Sequence, residues 1–549
     1  MLIIKSRKKR SLGLNEPLRH ESHKKPVTRR DFLAQGFTTG AATVVAPAVL
    51  GALLGSRRAQ AQTVDLSPDI DFQADPINNI CNIEQGASKI PFICFDLAGG
   101  ANIAGSNVLV GKDGGQLDFL STQGYSKLGL PGTMLPNSAT QDFINEEFGL
   151  MFHSDSAFLR GMLEKTTAAT RAGVNGCVIA ARSENDTGNN PHNPMYGIAK
   201  AGARGELLTL IGSQNSDSGG NSMAPAMLMD PANRPTKVDR ASDASGLVDT
   251  GALGTLFTNP VDNSPDTAST VAVMEQMARI SEQKLLKVDP GADVANPAKL
   301  ETQVKCGYVR TADTVARFSS PAAINPAVDP DIIGTGGIFG PNFGNDGEFQ
   351  KTSAVMKLVV EGYAGAGTIS MGGFDYHTGD RSTGELRDLR AGRCIGACLE
   401  FAARRGKPLM IYVFSDGSLA SNGMVDNSVD GRGKGQWTGD NQSTAASFFL
   451  VYNPPTAGGR PVLLTSGAGA ARHQQIGTYS AGGDVVNSSS PAANNVNLLV
   501  QTVLLNYMAL HKETGLFNAK FGAALGAGTA LDGLIAFNPI CTGKIGVPA

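Results

Sequence analysis

Thr368-Ile369-Ser370-Met371-Gly372-Gly373-Phe374-Asp375-Tyr376-His377 is the stretch on which the reading of this chain turns: a short apolar run stops at a glycine pair and releases a carboxylate and an imidazole. Runs of the same kind recur at Phe92 to Phe95, Val178 to Ala181, Leu409 to Phe414, Phe448 to Tyr452 and Val462 to Leu464, each breaking into a polar or Gly-rich turn. Apolar runs that do not alternate belong to strands buried on both faces, as in a parallel sheet covered by helices. Helical periodicity lies between them. Residues 271 to 287 place Val273, Met277 and Ile280 on one face, residues 385 to 405 end at Gly406 and Pro408, and residues 495 to 512 are leucine-rich. The pattern predicts an α/β fold with a mostly parallel sheet. Stretches 212 to 222, 334 to 347, 421 to 443 and 483 to 494 are rich in Gly, Ser and Asn and read as loops, because their composition supplies no core. One domain over 91–549 is expected, with insertions at about 212–350, after a lead segment over 62–90.

The head of the chain differs from the rest. Of 47 Lys+Arg, 12 lie in residues 1 to 61, against 3 of the 49 Asp+Glu, leaving 35 basic and 46 acidic residues beyond, a net charge of −11. That balance argues against nucleic acid or an anionic membrane as partner of the folded part. Thr28-Arg29-Arg30-Asp31-Phe32-Leu33, a weakly apolar run from Phe37 to Leu54 and Ala59-Gln60-Ala61 follow one another as n-region, h-region and cleavage site of a secretory signal. The arginine pair is the twin-arginine form, so residues 1–61 are read as a signal peptide handled by the Tat translocation machinery, and the mature chain as periplasmic or otherwise exported. The h-region is diluted by Gly36, Gly40 and Pro47, and no later segment offers ~18 uninterrupted apolar residues, so no stable membrane span is expected.

Seven cysteines, at 81, 94, 177, 306, 394, 398 and 541, make an odd number, so at least one stays unpaired in a monomer. Cys394 and Cys398 share a helical face and read as small core residues; there is no Cys-x-x-Cys to suggest a zinc ribbon. Asp426-x-Ser428-x-Asp430-Gly431 imitates a calcium loop, but Trp437 stands where the bidentate Glu belongs. Gly467-Ala468-Gly469 lacks the third glycine and the helix of a dinucleotide fingerprint.

In open parallel sheets, ligands gather beyond the carboxyl ends of the strands. There the sequence delivers Asp96, Arg182-Ser183, Asp375 with His377, and Ser415-Asp416-Gly417. Asp375, His377, Asp416 and Asp96 are oxygen and nitrogen donors suited to Zn²⁺ or a similar divalent ion. Ser183 is a candidate nucleophile for transfer of a phosphoryl or sulfuryl group through a covalent intermediate. Alone, a strand-terminal Asp caps a helix and a turn Ser bonds the backbone. Their arrival from four strand ends at one rim is what points to chemistry.

Gly-Gly-Phe-Asp-Tyr-His at 372 to 377, a helix of about twenty-five residues, an apolar strand and Ser415-Asp416-Gly417 together resemble the DUF1501 proteins. These are exported bacterial proteins of the alkaline phosphatase/sulfatase superfamily, whose activity is poorly defined. The resemblance spans roughly residues 91 to 485. It implies a three-layer α/β/α sandwich, alkaline phosphatase-like, with a divalent metal (Zn, Mn, Mg or Ca) at the carboxyl edge of the sheet. Asp375 and His377 match the family's Phe-Asp-x-His ligands, Asp416 its Ser-Asp ligand, and Arg182-Ser183 its Arg-Ser-His segment. Where the family has Asp-His-Gly this chain has Asp440-Asn441-Gln442, keeping the acid and losing the imidazole; Ser183 is followed by Glu184 instead of His. His192 and His473 are the candidates to replace a lost ligand. Two functions follow: an exported metal-dependent hydrolase of phosphate or sulfate esters acting on a small-molecule ester, or a catalytically inactive periplasmic binding or assembly protein with an unknown protein partner.

Overall fold

The central strands are built from residues that fill space on both sides of a sheet. Phe92–Leu97, Val174–Ala180, Ala364–Met371, Leu409–Phe414 and Ala446–Tyr452 are buried along their whole length. The computed structural model describes residues 66–70, 81, 89–183, 190–248, 257–258, 266–285, 287, 297–318, 321–377, 379–465 and 469–549. The signal expected over 1–61 and most of the lead segment over 62–90 lie outside the described residues.

The strands of the main sheet and of the ribbon beside it are, in chain order, β1 (Phe92–Leu97), β2 (Val174–Ala180), β3 (Leu208–Gly212), β4 (Thr236–Lys237), β5 (Ala364–Met371), β6 (Leu409–Phe414), β7 (Leu419–Asp426), β8 (Lys434–Asp440), β9 (Ala446–Tyr452) and β10 (Gln475–Ile476); Ile144–Asn145 and Phe152–His153 pair as a further short antiparallel ribbon. Eight of them form one sheet in the order β10-β2-β9-β6-β1-β5-β3-β4, while β7 and β8 pair as a separate antiparallel ribbon. β1 lies at the centre, parallel to both β5 and β6. Within the sheet β9 alone runs against its neighbours, pairing antiparallel with β2 and β6. The α/β architecture with a large, mostly parallel sheet is as expected.

The helices of seven residues or more among the described residues are α1 (Ala157–Lys165), α2 (Met195–Ala201), α3 (Thr267–Leu285), α4 (Pro297–Arg317), α5 (Gly347–Val360), α6 (Ser382–Arg404) and α7 (Val496–Leu510). Alternate strand residues meet different helices, as strand geometry requires. Phe92, Cys94, Met410, Tyr412, Phe449 and Val451 share a cluster with Met195 and Ile198 of α2 and with Leu499, Val503 and Leu504 of α7. Their chain neighbours face α1, α5 and α6: Phe448 meets Phe158 of α1 at 6.2 Å between ring centroids. No helix among the described residues is long and apolar enough to cross a membrane.

Described residues 66–70, 81 and those from 257 to 318 group as a separate compact unit, and the others form the unit that carries the sheet. The smaller unit holds α3 and α4, packs Val271 against Val315 and Ala316, and contains the Cys81–Cys306 disulfide. The stretch read as an insertion at about 212–350 is therefore divided between the two. The remaining five cysteines are buried thiols, Cys394 and Cys398 among them.

Two readings need correction. Val462 to Leu464 forms no strand; Leu463 makes one isolated antiparallel bridge to Phe537, and Pro461, lacking an N–H, stands just before it. Residues 421 to 443 are not a plain loop but most of the β7–β8 ribbon. Composition hid it because β7 is mostly exposed and Trp437 is the one large apolar side chain that β8 buries.

Candidate metal centre

In the segment after β5, where the Tyr376 N–H donates to the Phe374 carbonyl at 3.0 Å, buried and exposed side chains alternate. Phe374 and Tyr376 point inward and are buried; Asp375 and His377 point outward. The inward tyrosine anchors the segment. Its hydroxyl donates to Asp388 Oδ1 at 2.9 Å and accepts from the Asn102 amide at 3.1 Å, while Asn107 Nδ2 donates to Asp388 Oδ2 at 2.8 Å. Burial, chiefly, pushes the Asp388 carboxyl up to about 7; the Asn107 bond opposes that shift and the Glu385 charge adds to it.

Gly99, just past β1, makes room for the other flank. At φ +125° it occupies the left-handed region, and a Cβ there would lie 2.4 Å from the Asp375 amide nitrogen. Its own N–H donates to Asp416 Oδ1 at 2.9 Å.

The third wall is the β7–β8 ribbon, which ends on Asp440 opposite Leu419. It is tied to the chain just beyond His377 by Gly379 N–H to the Trp437 carbonyl at 2.9 Å and Trp437 N–H to the Asp380 carbonyl at 3.2 Å. Below lies a buried ionic network. The Arg381 guanidinium stacks on Trp437 with its carbon 4.3 Å from the ring centroid, Arg381 Nη2 bonds Glu385 Oε1 at 2.9 Å, and Lys434 Nζ reaches the same oxygen at 2.9 Å. Burial opposes ionisation of Glu385, but the charges of Arg381 and Lys434 outweigh it and hold the carboxyl below the usual range. Removing one member of such a buried network costs roughly 3–5 kcal/mol, because it strands an unpaired charge. The position of Asp440 is thus enforced from beneath.

These three walls bring together Asp375, His377 and Asp440. His377 Nδ1 lies 2.5 Å from Asp375 Oδ1 and 3.1 Å from Asp440 Oδ1. One ligand atom from each of the three falls within 4.8 Å of the others. Two carboxylate oxygens and an imidazole nitrogen are a donor set that fits a divalent ion. The side chains are 50%, 34% and 48% exposed, so a group held there would remain open to a substrate.

Asp416 and Asp96 do not join this group. Asp416 is buried, accepting from Gly99 N–H and, at 3.4 Å, from Asn221 Nδ2. Asp96 is buried too, with Oδ2 accepting from the Asn221 and Ser222 amides at 2.6 and 2.8 Å and Oδ1 from Ser222 Oγ at 3.0 Å. Burial pushes its carboxyl up to about 6; the Ser222 bonds oppose this and the Asp416 charge reinforces it. Both acids fasten the 220–222 loop to the rim. Asn221 and Ser222 carry no local signal, since they meet β1 only through a contact more than 120 residues away in sequence.

Ser183 is 1% exposed, and its hydroxyl lies 3.0 Å from His192 Nε2. His192 stacks on Phe414, and burial pushes its imidazole down to about 3, so it is neutral at ordinary pH. It partners Ser183 and belongs to no metal group. His473 Nδ1 sits 2.5 Å from the Ile535 carbonyl oxygen, also apart from the triad. Asn441 caps the short turn that follows β8, its Oδ1 accepting from the Ser443 amide at 2.9 Å. The functional support that sequence reasoning missed is Tyr376 with Asp388 and the Arg381–Glu385–Lys434 network; only the inward phase of Tyr376, between two outward ligands, could have hinted at it.

Comparison with known proteins gives no match of the chain to a family model, to a curated protein or to a solved structure.

Proposed function

We propose that this chain is a metal-dependent hydrolase of phosphate or sulfate esters, alkaline phosphatase-like in fold and exported through the twin-arginine route, with its divalent ion held by Asp375, His377 and Asp440. The observation that carries this reading is the convergence of those three donors beyond the carboxyl ends of β5 and β1. Open parallel sheets bind ligands on that edge. The mixed nitrogen and oxygen set suits Zn²⁺ or Mn²⁺ better than Mg²⁺ or Ca²⁺, which favour all-oxygen shells. Lewis-acid polarisation of an ester oxygen and a lowered pKa for bound water are what such an ion supplies. The chain's own part is to fix the ligands: Tyr376 pins the backbone between Asp375 and His377, and the Arg381–Glu385–Lys434 network seats the strand that presents Asp440.

The second reading, a catalytically inactive binding or assembly protein, is favoured by Ser183, whose buried hydroxyl is engaged with His192 and not presented to solvent. Metal content and turnover separate the two. Mature protein purified without chelator and loaded in turn with Zn²⁺, Mn²⁺, Mg²⁺ and Ca²⁺ should retain stoichiometric metal and cleave phosphate or sulfate esters; Asp440→Ala should lose both while unfolding at the wild-type temperature once metal-free. Retained metal without hydrolysis of a broad ester panel selects the binding protein. Failure to retain any of the four ions removes the metal centre.

A further inference from the structure

One cavity of the unit that carries the sheet lies far from the triad and has a charge at odds with the rest of the chain. It encloses about 550 Å³ between α2, the start of β3, the 227–233 connection and the short helix Phe517–Phe521. Thr209 on its wall belongs to the amino end of β3, where Leu208 and Leu210 pair with Ala364 and Ala366 of β5. The triad's segment leaves the other end of β5, 8 residues or roughly 25 Å of strand away. Lys200, Arg204 and Lys520 line the cavity against one carboxylate, Asp230, although residues 62–549 carry a net charge of −11. None of the three cations pairs with a carboxylate among the described residues. Lys520 Nζ donates to the Lys200 and Ala201 carbonyls at 3.0 and 3.4 Å, Lys200 Nζ lies 5.6 Å from the Phe521 ring centroid, and Arg204 makes no side-chain hydrogen bond or ion pair. Asp230 is engaged elsewhere: its Oδ1 accepts from the Ala232 amide at 3.0 Å and its Oδ2 from Asn233 Nδ2 at 2.6 Å, closing the 231–233 turn. The rest of the wall includes Met227 and Met229, and Met227 is 67% exposed. A methionine adapts its shape to what it meets, and this one gains apolar contact only when something fills the cavity.

We propose that this cavity binds a small organic monoanion, an apolar body bearing one carboxylate or a comparable singly charged head, at a site separate from the triad. Its volume falls within the ~300–1,000 Å³ typical of small-molecule pockets. Cations grouped on one concave wall draw an anion from solvent. Arg204 offers a fork of donors and the two lysines offer point charges, so the head group supplies the carboxylate that these side chains lack. The apolar body covers the methionines. An uncharged apolar molecule would leave the three cations unanswered, and an inorganic anion would leave Met227 in water. Asp230 sets the charge of the ligand, because a carboxylate fixed on the wall repels a dianion more than a monoanion.

The test is isothermal titration of the full-length mature protein with 1-naphthalenesulfonate, with uncharged 1-naphthalenemethanol and with inorganic phosphate. The proteins are wild type, the double variant Lys200→Gln with Arg204→Gln, Met227→Glu and Asp440→Ala, with thermal unfolding measured alongside. Wild type should bind the sulfonate with a single-site isotherm, about tenfold or more tighter than either the alcohol or phosphate, since only the sulfonate satisfies both the cations and the apolar wall. The double variant should weaken sulfonate binding by about tenfold or more through loss of two charge-assisted contacts. Met227→Glu should weaken it by a similar factor, because it sets a second carboxylate beside the head group; this side chain is exposed, so the variant decides the matter should the double variant unfold. Asp440→Ala should bind the sulfonate as wild type does, whatever its metal content, which keeps this outcome independent of the metal reading. Wild type that does not bind the sulfonate, binds the alcohol or phosphate equally well, or is matched by a folded cavity variant overturns the proposal. Loss of sulfonate binding in Asp440→Ala also overturns it, by placing the anion at the triad.

Discussion

Asp388→Asn should change how the stability of this protein depends on pH. Asp388 is fully buried, and its carboxyl, pushed up to about 7 by that burial, faces the Tyr376 hydroxyl, the Asn107 amide, the Glu385 charge and the Arg381 guanidinium. The unfolded carboxyl titrates near 3.9. A raised folded pKa means that the group's contribution to stability is fully present below about 4 and is lost as pH rises through about 7. Between pH 5.5 and 8.5 the folded protein releases this proton while the unfolded chain has none to release. About 1.5 pH units of that interval lie below the folded pKa, which makes the loss about 2 kcal/mol at 1.36 kcal/mol per unit. The asparagine variant cannot lose what it never ionises. The assay is urea unfolding of wild type and variant at pH 5.5 and pH 8.5, comparing the difference between the two proteins at each pH so that every other titrating group cancels. The variant should gain about 2 kcal/mol on wild type across the interval. Parallel pH profiles would refute the reasoning, and would mean that Arg381 keeps Asp388 ionised throughout. Because Asp388 bonds Tyr376 and not a metal ligand, metal retention at pH 7 should survive the substitution.

Gly99→Ala should displace the metal loop, since its Cβ meets the Asp375 amide nitrogen at 2.4 Å in a backbone conformation unfavourable to any side chain; metal affinity should fall by at least tenfold and stability by about 1–3 kcal/mol, a typical cost of inserting bulk into a packed site, and unchanged metal titration would show that Asp375 is not fixed from this side. Changing Arg29 and Arg30 together to Lys should leave the precursor unprocessed in the cytoplasm, because twin-arginine signals are read through that pair; periplasmic processing of the double variant, followed by fractionation and immunoblotting, would reject the export reading.

The sequence alone settled what depends on neighbours along the chain. Unbroken apolar runs of four to eight residues bounded by turns, such as Leu409 to Phe414, fit strands covered on both faces, so the α/β class and five of the eight sheet strands were legible, whereas the three-residue run Val462 to Leu464 misled. The Gly-Gly-Phe-Asp-Tyr-His segment announced a sharp exit from a strand with two ligand-type residues in the same phase, and His377 does meet Asp375. What the sequence did not determine is which acid completes the group. Asp416 stands directly after a central strand and Asp440 in a stretch whose composition reads as loop, yet Asp440 reaches His377 while Asp416 is turned to Gly99 and Asn221. That choice depends on a ribbon seated by Trp437 on Arg381 and by Lys434 on Glu385, contacts spanning some fifty residues of chain. Loop composition reports local conformational preference and is blind to such contacts, whereas burial of an ionic network far along the chain decides where the ribbon's last carboxylate points.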